Sequence, residues 1–209
     1  MVRSIILMLL VMPFAISAQT LKDVDFVAPL EDGYAAVKKG NTWGFIDEEG
    51  NLAVSFRNDL VANDKVTDQV DLGIASQLYP VMWEGRSIVK AIKEGIPYYG
   101  FINASGTIVI EPKYLNVSIF KNGYALALKM EEAVLGRNEP LGKRVVSYTY
   151  DVVLIDRDGQ EVKYFAGPFP IALSPERLRT APPIVAKDIS ENLIAVRMPD
   201  NKWGVFKID

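Results

Sequence analysis

The sequence predicts an all-β fold: repeated three-stranded antiparallel meanders in an open curved array, with a four-bladed, propeller-like closure as the alternative. Two observations carry this reading. The stretch "WGFIDEEGN" (43–51) returns as "YGFINASGT" (99–107), "VLIDRDGQ" (153–160) and "WGVFKID" (203–209). Measured at Gly44, Gly100, Val153 and Gly204, the spacings are 56, 53 and 51 residues, a period that marks stacked or radial arrays. Each return also follows a segment with apolar residues at every second position, the period of a half-buried strand.

The elements follow in order within each copy. The opening strands are "GYAAVKK" (33–39), "GRSIVKAIK" (85–93), "GYALALK" (123–129) and "NLIAVRM" (192–198). Turn residues follow at Gly40-Asn41, Gly95-Ile96-Pro97 and Pro199-Asp200-Asn201, types that supply positive φ or preset it near −65°. The motif strand comes next, then a second turn, then "LAVSF" (52–56), "TIVIEP" (107–112) and "QEVKYF" (160–165). Copy four stops at Asp209 without a third strand, so about eleven strands are expected. The repeats run approximately 24–56, 79–120, 120–165 and 184–209, within one domain at 19–209.

The second turn reads Asp47-Glu-Glu-Gly50, Asn103-Ala-Ser-Gly106 and Asp156-Arg-Asp-Gly159. A short polar side chain caps a type I turn, and the glycine takes the left-handed position that closes it. The middle residues share no chemistry, so a catalytic loop is disfavoured. Asp156 and Asp158 begin like a calcium loop but lack the ligands that would follow. In the aromatic-glycine pairs, Trp43, Tyr99 and Trp203 are expected in the core. Gly44, Gly100 and Gly204 leave room for a neighbouring strand or ring against the backbone.

The combination of "GYAAVKKGNTWGFIDEEGNLAV" and "PYYGFINASGTIVIEPKYLNV" resembles the WG, or KWG, repeat of bacterial exported proteins. Copy three departs from the pattern, with Val152-Val153 in place of aromatic-Gly and residues 131–150 inserted before it. The resemblance implies an all-β repeat in exported or surface proteins with binding roles. It supplies no catalytic residues to carry over.

The first 18 residues read as a removable export signal: Arg3, an apolar run from Ile5, and small residues at Ala15, Ser17 and Ala18. The run falls short of the ~20 residues that span a bilayer. The expected location is periplasmic or extracellular, with no membrane span after cleavage. The rest carries 22 basic and 26 acidic residues, a balance without the basic footprint of a nucleic-acid binder. With no Cys, the fold rests on no disulfide, and with no His there is no imidazole base or imidazole zinc site. The expectation is therefore no enzyme, no cofactor and no metal.

Sites are sought in the segments that interrupt the repeats. Residues 57–78 carry Asp59, Asp64, Asp68 and Asp71 and read as a solvated acidic loop. Residues 131–150 bring Arg137, Lys143 and Arg144, then Tyr148 and Tyr150 on one face of a strand. Residues 166–183 hold five prolines with Phe169, Arg177 and Arg179, a composition expected to stay out of the sheet. Trp83 is the tryptophan outside the motif and the first choice for an exposed aromatic, expected to be more exposed than Trp43 or Trp203. The candidate binding residues are thus Trp83, Tyr148, Tyr150 and Phe169. The function expected is a non-catalytic binding module for an envelope protein, peptide or glycan. A structural envelope protein and a carboxylate-dependent hydrolase are the alternatives, the latter needing two carboxyl groups ~5–10 Å apart.

Overall fold

A computed structural model describes residues 21–63, 71–139, 142–171 and 179–208. The export signal, Asp64, Asp68 and Arg177 lie outside them. The described chain is built from four small antiparallel sheets, none closed into a barrel. Sheet one holds β1 (Phe26–Val27), β2 (Tyr34–Lys39), β3 (Thr42–Asp47) and β4 (Leu52–Arg57). Sheet two holds β5 (Arg86–Lys93), β6 (Ile96–Asn103) and β7 (Ile108–Tyr114). Sheet three holds β8 (Asn116–Val117), β9 (Tyr124–Asn138), β10 (Lys143–Asp156) and β11 (Glu161–Ile171). Sheet four holds β12 (Ala186–Ser190), β13 (Leu193–Arg197) and β14 (Trp203–Lys207).

Fourteen strands thus stand among the described residues where eleven were expected. The additions are β1, β8 and β12, each leading into a meander along its first strand. In sheet two the bridge from Leu60 to Val89 takes that place. Strands of two residues are too short to carry a period of two.

The alternation of each strand explains how the sheets stack. In β6, Phe101 points forward into the core shared with sheet three, while Ile102 points back into the core shared with sheet one. Phe45, Val54, Leu60, Met82 and Val89 fill the first junction with Ile102. Phe101, Ile110, Phe120, Ala127, Val153 and Ile155 fill the second, where Phe101 meets Phe120 edge-on at 4.8 Å. Leu126, Leu154, Phe165, Ile184, Ile194 and Val196 fill the third.

Register identifies equivalent positions: Ala36 pairs Phe45, Ile88 pairs Phe101, Leu126 pairs Leu154 and Ala195 pairs Val205. Phe45, Phe101 and Leu154 are buried under the next sheet, whereas Val205 is 61% exposed, with no further sheet against it among the described residues. The array is open. Among described residues β14 pairs with β13 alone and β1 with β2, so the closed alternative is overturned.

Each motif glycine lies under something that leaves no room for a side chain. A Cβ on Gly100 would collide with the backbone of β7, its distance to Pro112 N being 2.6 Å, and one on Gly44 would stand 2.8 Å from Val54 O. At both places a register shift presses the third strand onto the glycine. At Gly204 the Phe206 ring takes the space, 2.7 Å away. The turn glycines Gly50, Gly106 and Gly159 have φ of 80°, 81° and 76°. Each closes its turn by donating to the first residue's carbonyl, Asp47, Asn103 or Asp156, at 2.9–3.0 Å.

Two expectations are corrected. Residues 166–171 do join the sheet, completing β11, with Phe169 opposite Tyr150 and Pro170 opposite Thr149. The strand is an edge, where a proline without N–H leaves no ladder bond unmade. Trp203, expected in the core, is 38% exposed, against 36% for Trp83. Trp203 lies on the forward face of the last sheet, where its equivalent Tyr99 is buried and Trp43 half-buried.

Phe101→Ala is expected to cost ~3–5 kcal/mol, the usual penalty for an emptied aromatic core site. Val205→Ala, at the equivalent position in copy four, is expected to stay within about 0.5 kcal/mol. Urea unfolding of the two variants checks the comparison.

Candidate functional site

The turn that opens each meander sits on the same edge of the stack. Asp32-Gly33, Glu84-Gly85 and Asn122-Gly123 all have positive φ, as the tight hairpin turn between twisted strands requires. Each turn is closed by a pair of backbone hydrogen bonds, Glu31 with Tyr34, Trp83 with Arg86, and Lys121 with Tyr124. The outward amides of one turn are then met by the preceding copy. Glu84 N–H donates to Asp32 Oδ2 at 2.6 Å, and Asn122 and Gly123 N–H donate to the Glu84 carboxylate at 2.6 and 2.8 Å. Asn122 Nδ2 continues the relay to the Glu191 carbonyl at 3.3 Å.

A second set of clasps uses the motif turn. Arg57 Nη1 donates to Gly106 O at 2.6 Å, and Tyr114 Oη donates to Gly159 O at 3.2 Å. Arg57 and Tyr114 hold one position in the repeat, opposite Trp43 and Tyr99 respectively. Arg57 is itself held by Asp59, at 2.5 and 2.7 Å, which raises its pKa further. Arg157, a middle residue of copy three's turn, donates to the Glu84 carbonyl at 2.5 Å.

Below the relay a cavity of about 330 Å³ opens at the seam of copies three and four, lined also from copy two by Trp83. Its apolar lining is Leu126, Leu154, Ile194 and Ile208, with Trp83 and Tyr124 as the aromatic members. Lys121 and Asp188, paired at 2.7 Å, supply opposite charges at its exposed side. Asp71 Oδ1 accepts from Gly73 N–H at 2.8 Å and Ile184 N–H at 2.9 Å, binding the linker after copy one to the lead-in of copy four. An apolar hollow with a few convergent polar groups suits a ligand's apolar portion and fixes its orientation.

Of the candidate residues, Trp83 lines this cavity and the other three do not. Tyr150 and Phe169 stack on each other at 5.1 Å and 13° across β10 and β11. They pack against the third core with Ile96 and Tyr98 of copy two, and burial raises the Tyr150 pKa. Tyr148 is half-buried opposite Ile171. The inserted residues 131–150 lengthen β9 and β10 into an extended hairpin rather than a loop. Asp156 Oδ1 accepts from the amides of Asp158 and Gln160, and no group of metal-ligating side chains stands among the described residues. Trp203 lies between Lys187 Nζ, 4.9 Å from its ring centre, and the Arg197 guanidinium at 5.3 Å. Lys121, Tyr124, Asp188 and Glu191 were not anticipated, since only the stacking of separate copies brings them together.

A family model for the WG containing repeat matches residues 24–43 and 99–129. These two segments carry the WG repeat. The first match covers β1, β2 and the turn into Trp43. The second runs from Tyr99 through β8 and into the first part of β9, so it crosses a junction between sheets. No curated protein and no solved structure matches the chain. No helix among the described residues of this WG chain is long and apolar enough to cross a membrane.

Glu84→Ala is expected to cost ~1.5–3 kcal/mol, the range for hydrogen bonds to a charged partner, because it leaves the Asn122 and Gly123 amides unmet. Glu49→Ala, at an exposed turn position, is expected to cost under ~0.5 kcal/mol. Denaturant midpoints of both variants test this.

Asp151 offers a pH test. Burial first, then the Glu131 and Glu161 carboxylates, raise its pKa above the ordinary 3.8, with Lys129 opposing. A carboxyl group with a raised folded pKa binds more protons folded than unfolded, so its contribution to stability falls as pH rises through that pKa. Asp151→Asn is expected to raise the melting temperature at neutral pH and to lose that advantage toward acid pH. Thermal unfolding across the acid range measures it.

Proposed function

We propose that this chain is an exported, non-catalytic binding module that holds a peptide segment of an envelope protein in the cavity between copies two, three and four. The cavity itself is the observation that carries the reading: an apolar hollow beside the Trp83 and Tyr124 rings, with the Lys121–Asp188 pair at its exposed side. That arrangement suits a peptide better than a purely apolar ligand, because a peptide brings amides and a charged group to the ion pair along with an apolar side chain for the floor. Aromatic side chains in such a place supply large contact area at small entropic cost.

The absence of enzyme chemistry in this reading rests on what the side chains are already doing. The sequence has no His and no Cys. Of the carboxylates that line the cavity with Glu191, Asp71 is engaged by two backbone amides and Asp188 by Lys121, which supports structural roles for both. Export rests on the N-terminal sequence, and cleavage after Ala18 leaves Gln19 as the first residue. N-terminal sequencing of the chain recovered outside the cytoplasm is expected to begin at Gln19 or within a residue or two of it.

Panning a displayed peptide library against the chain tests the binding role. Enriched peptides are expected to share an apolar residue near a charged one. Trp83→Ala is expected to weaken them by about tenfold or more, ~1.4 kcal/mol, with Trp203→Ala without effect. Peptides that bind the Trp83→Ala chain as tightly as the parent chain would overturn the assignment.

A further inference from the structure

At each end of the described array one position that the interior junctions bury is exposed. At the forward end, Val205 is 61% exposed, although Phe45, Phe101 and Leu154 at the same position are buried by the following sheet. The rearward position gives the mirror image. Val27 pairs Val37, Leu60 bridges Val89, Val117 pairs Ala127 and Ala186 pairs Val196. Leu60, Val117 and Ala186 are buried against the preceding copy, whereas Val27 is 53% exposed beside its buried partner Val37.

We infer that copies of this chain associate head to tail, the forward face of sheet four in one chain covering the rearward face of sheet one in the next. The contact continues an interface the chain already makes three times within itself. It touches the ligand cavity only through Glu191, which lines its rim. Charge selects this pairing over a face-to-face dimer. The forward face of sheet four carries Lys187 and Arg197 against the Trp203 ring, and Lys207 two residues beyond Val205. A two-fold dimer through this face would set those cations against their own copies. Residues 21–57, which form sheet one and its turns, hold seven acidic against four basic residues, a net negative charge that complements them.

The relay of turns points the same way. Glu191 stands where Asp32 and Glu84 stand in their copies, at the forward end of the series. The Asp32 and Gly33 amides stand where those of Asn122 and Gly123 donate to the preceding copy's carboxylate. In the head-to-tail contact the Glu191 carboxylate of one chain meets those amides of the next. Such a heterologous contact does not close on itself, so it extends into linear chains.

The sequence has no cysteine, so introduced thiols are unique. Val27→Cys and Val205→Cys chains, both at exposed positions, are mixed without terminal tags and treated with a short thiol cross-linker. The expected product joins position 27 of one chain to position 205 of another, and a chain with both substitutions gives a ladder. Sedimentation of the parent chain is expected to grow heavier with concentration, and Val205→Glu to weaken that association by about tenfold or more. Cross-links chiefly between two copies of position 205 would overturn the inference in favour of a face-to-face dimer. A parent chain that stays monomeric at its highest soluble concentration would overturn it outright.

Discussion

A sheet of three short strands with apolar residues on both faces cannot hold itself together in water, and every other feature of this molecule follows from that shortage. The remedy is to share. Because neighbouring side chains on a strand point to opposite faces, Phe101 and Ile102 of one strand serve two different cores. Each interior sheet is therefore half of two junctions, and its stability belongs to the contacts with its neighbours as much as to itself. A sheet at either end has only one junction and must leave a face in the open.

Apolar stacking alone does not fix how one sheet is turned on the next. The polar contacts do that, and they are made where a main chain would otherwise end in unmet groups. Asp32 and Glu84 accept turn amides of the following copy, while Arg57 and Tyr114 donate to the following copy's glycine carbonyl. A guanidinium and a phenol perform the same task at one repeat position. The repeat conserves an action there rather than a residue, and an aligned reading of side-chain types passes over it.

This distinction separates what the sequence discloses from what it withholds. Strands, turns and the notch at Gly44 and Gly100 are local: period, turn chemistry and the missing side chain act within a dozen residues, and all are readable. Burial is not local. Trp43, Tyr99 and Trp203 hold one place in the motif, yet Tyr99 is buried, Trp43 half-buried and Trp203 exposed, so the place in the motif does not set the burial. The prolines of 166–171 reach the sheet because β11 is an edge, a fact about neighbours and not about proline. Trp83 stood out as an isolated aromatic, but its cavity joins residues from Asp71 to Ile208 and becomes visible only when copies two, three and four are stacked.

The relay is uneven along its length. Between copies two and three it rests on a carboxylate with two short hydrogen bonds, whereas at the last step the neutral Asn122 reaches a carbonyl at 3.3 Å. Charged partners make roughly twice as strong a bond as neutral ones, so at the final seam the charge-assisted bond is the Lys121–Asp188 pair and not the relay. That seam runs along the cavity, which both Asn122 and Glu191 line. Substituting one amide for one acid thus moves the charged joint of the last seam from the turn to a side-chain pair that itself lines the cavity.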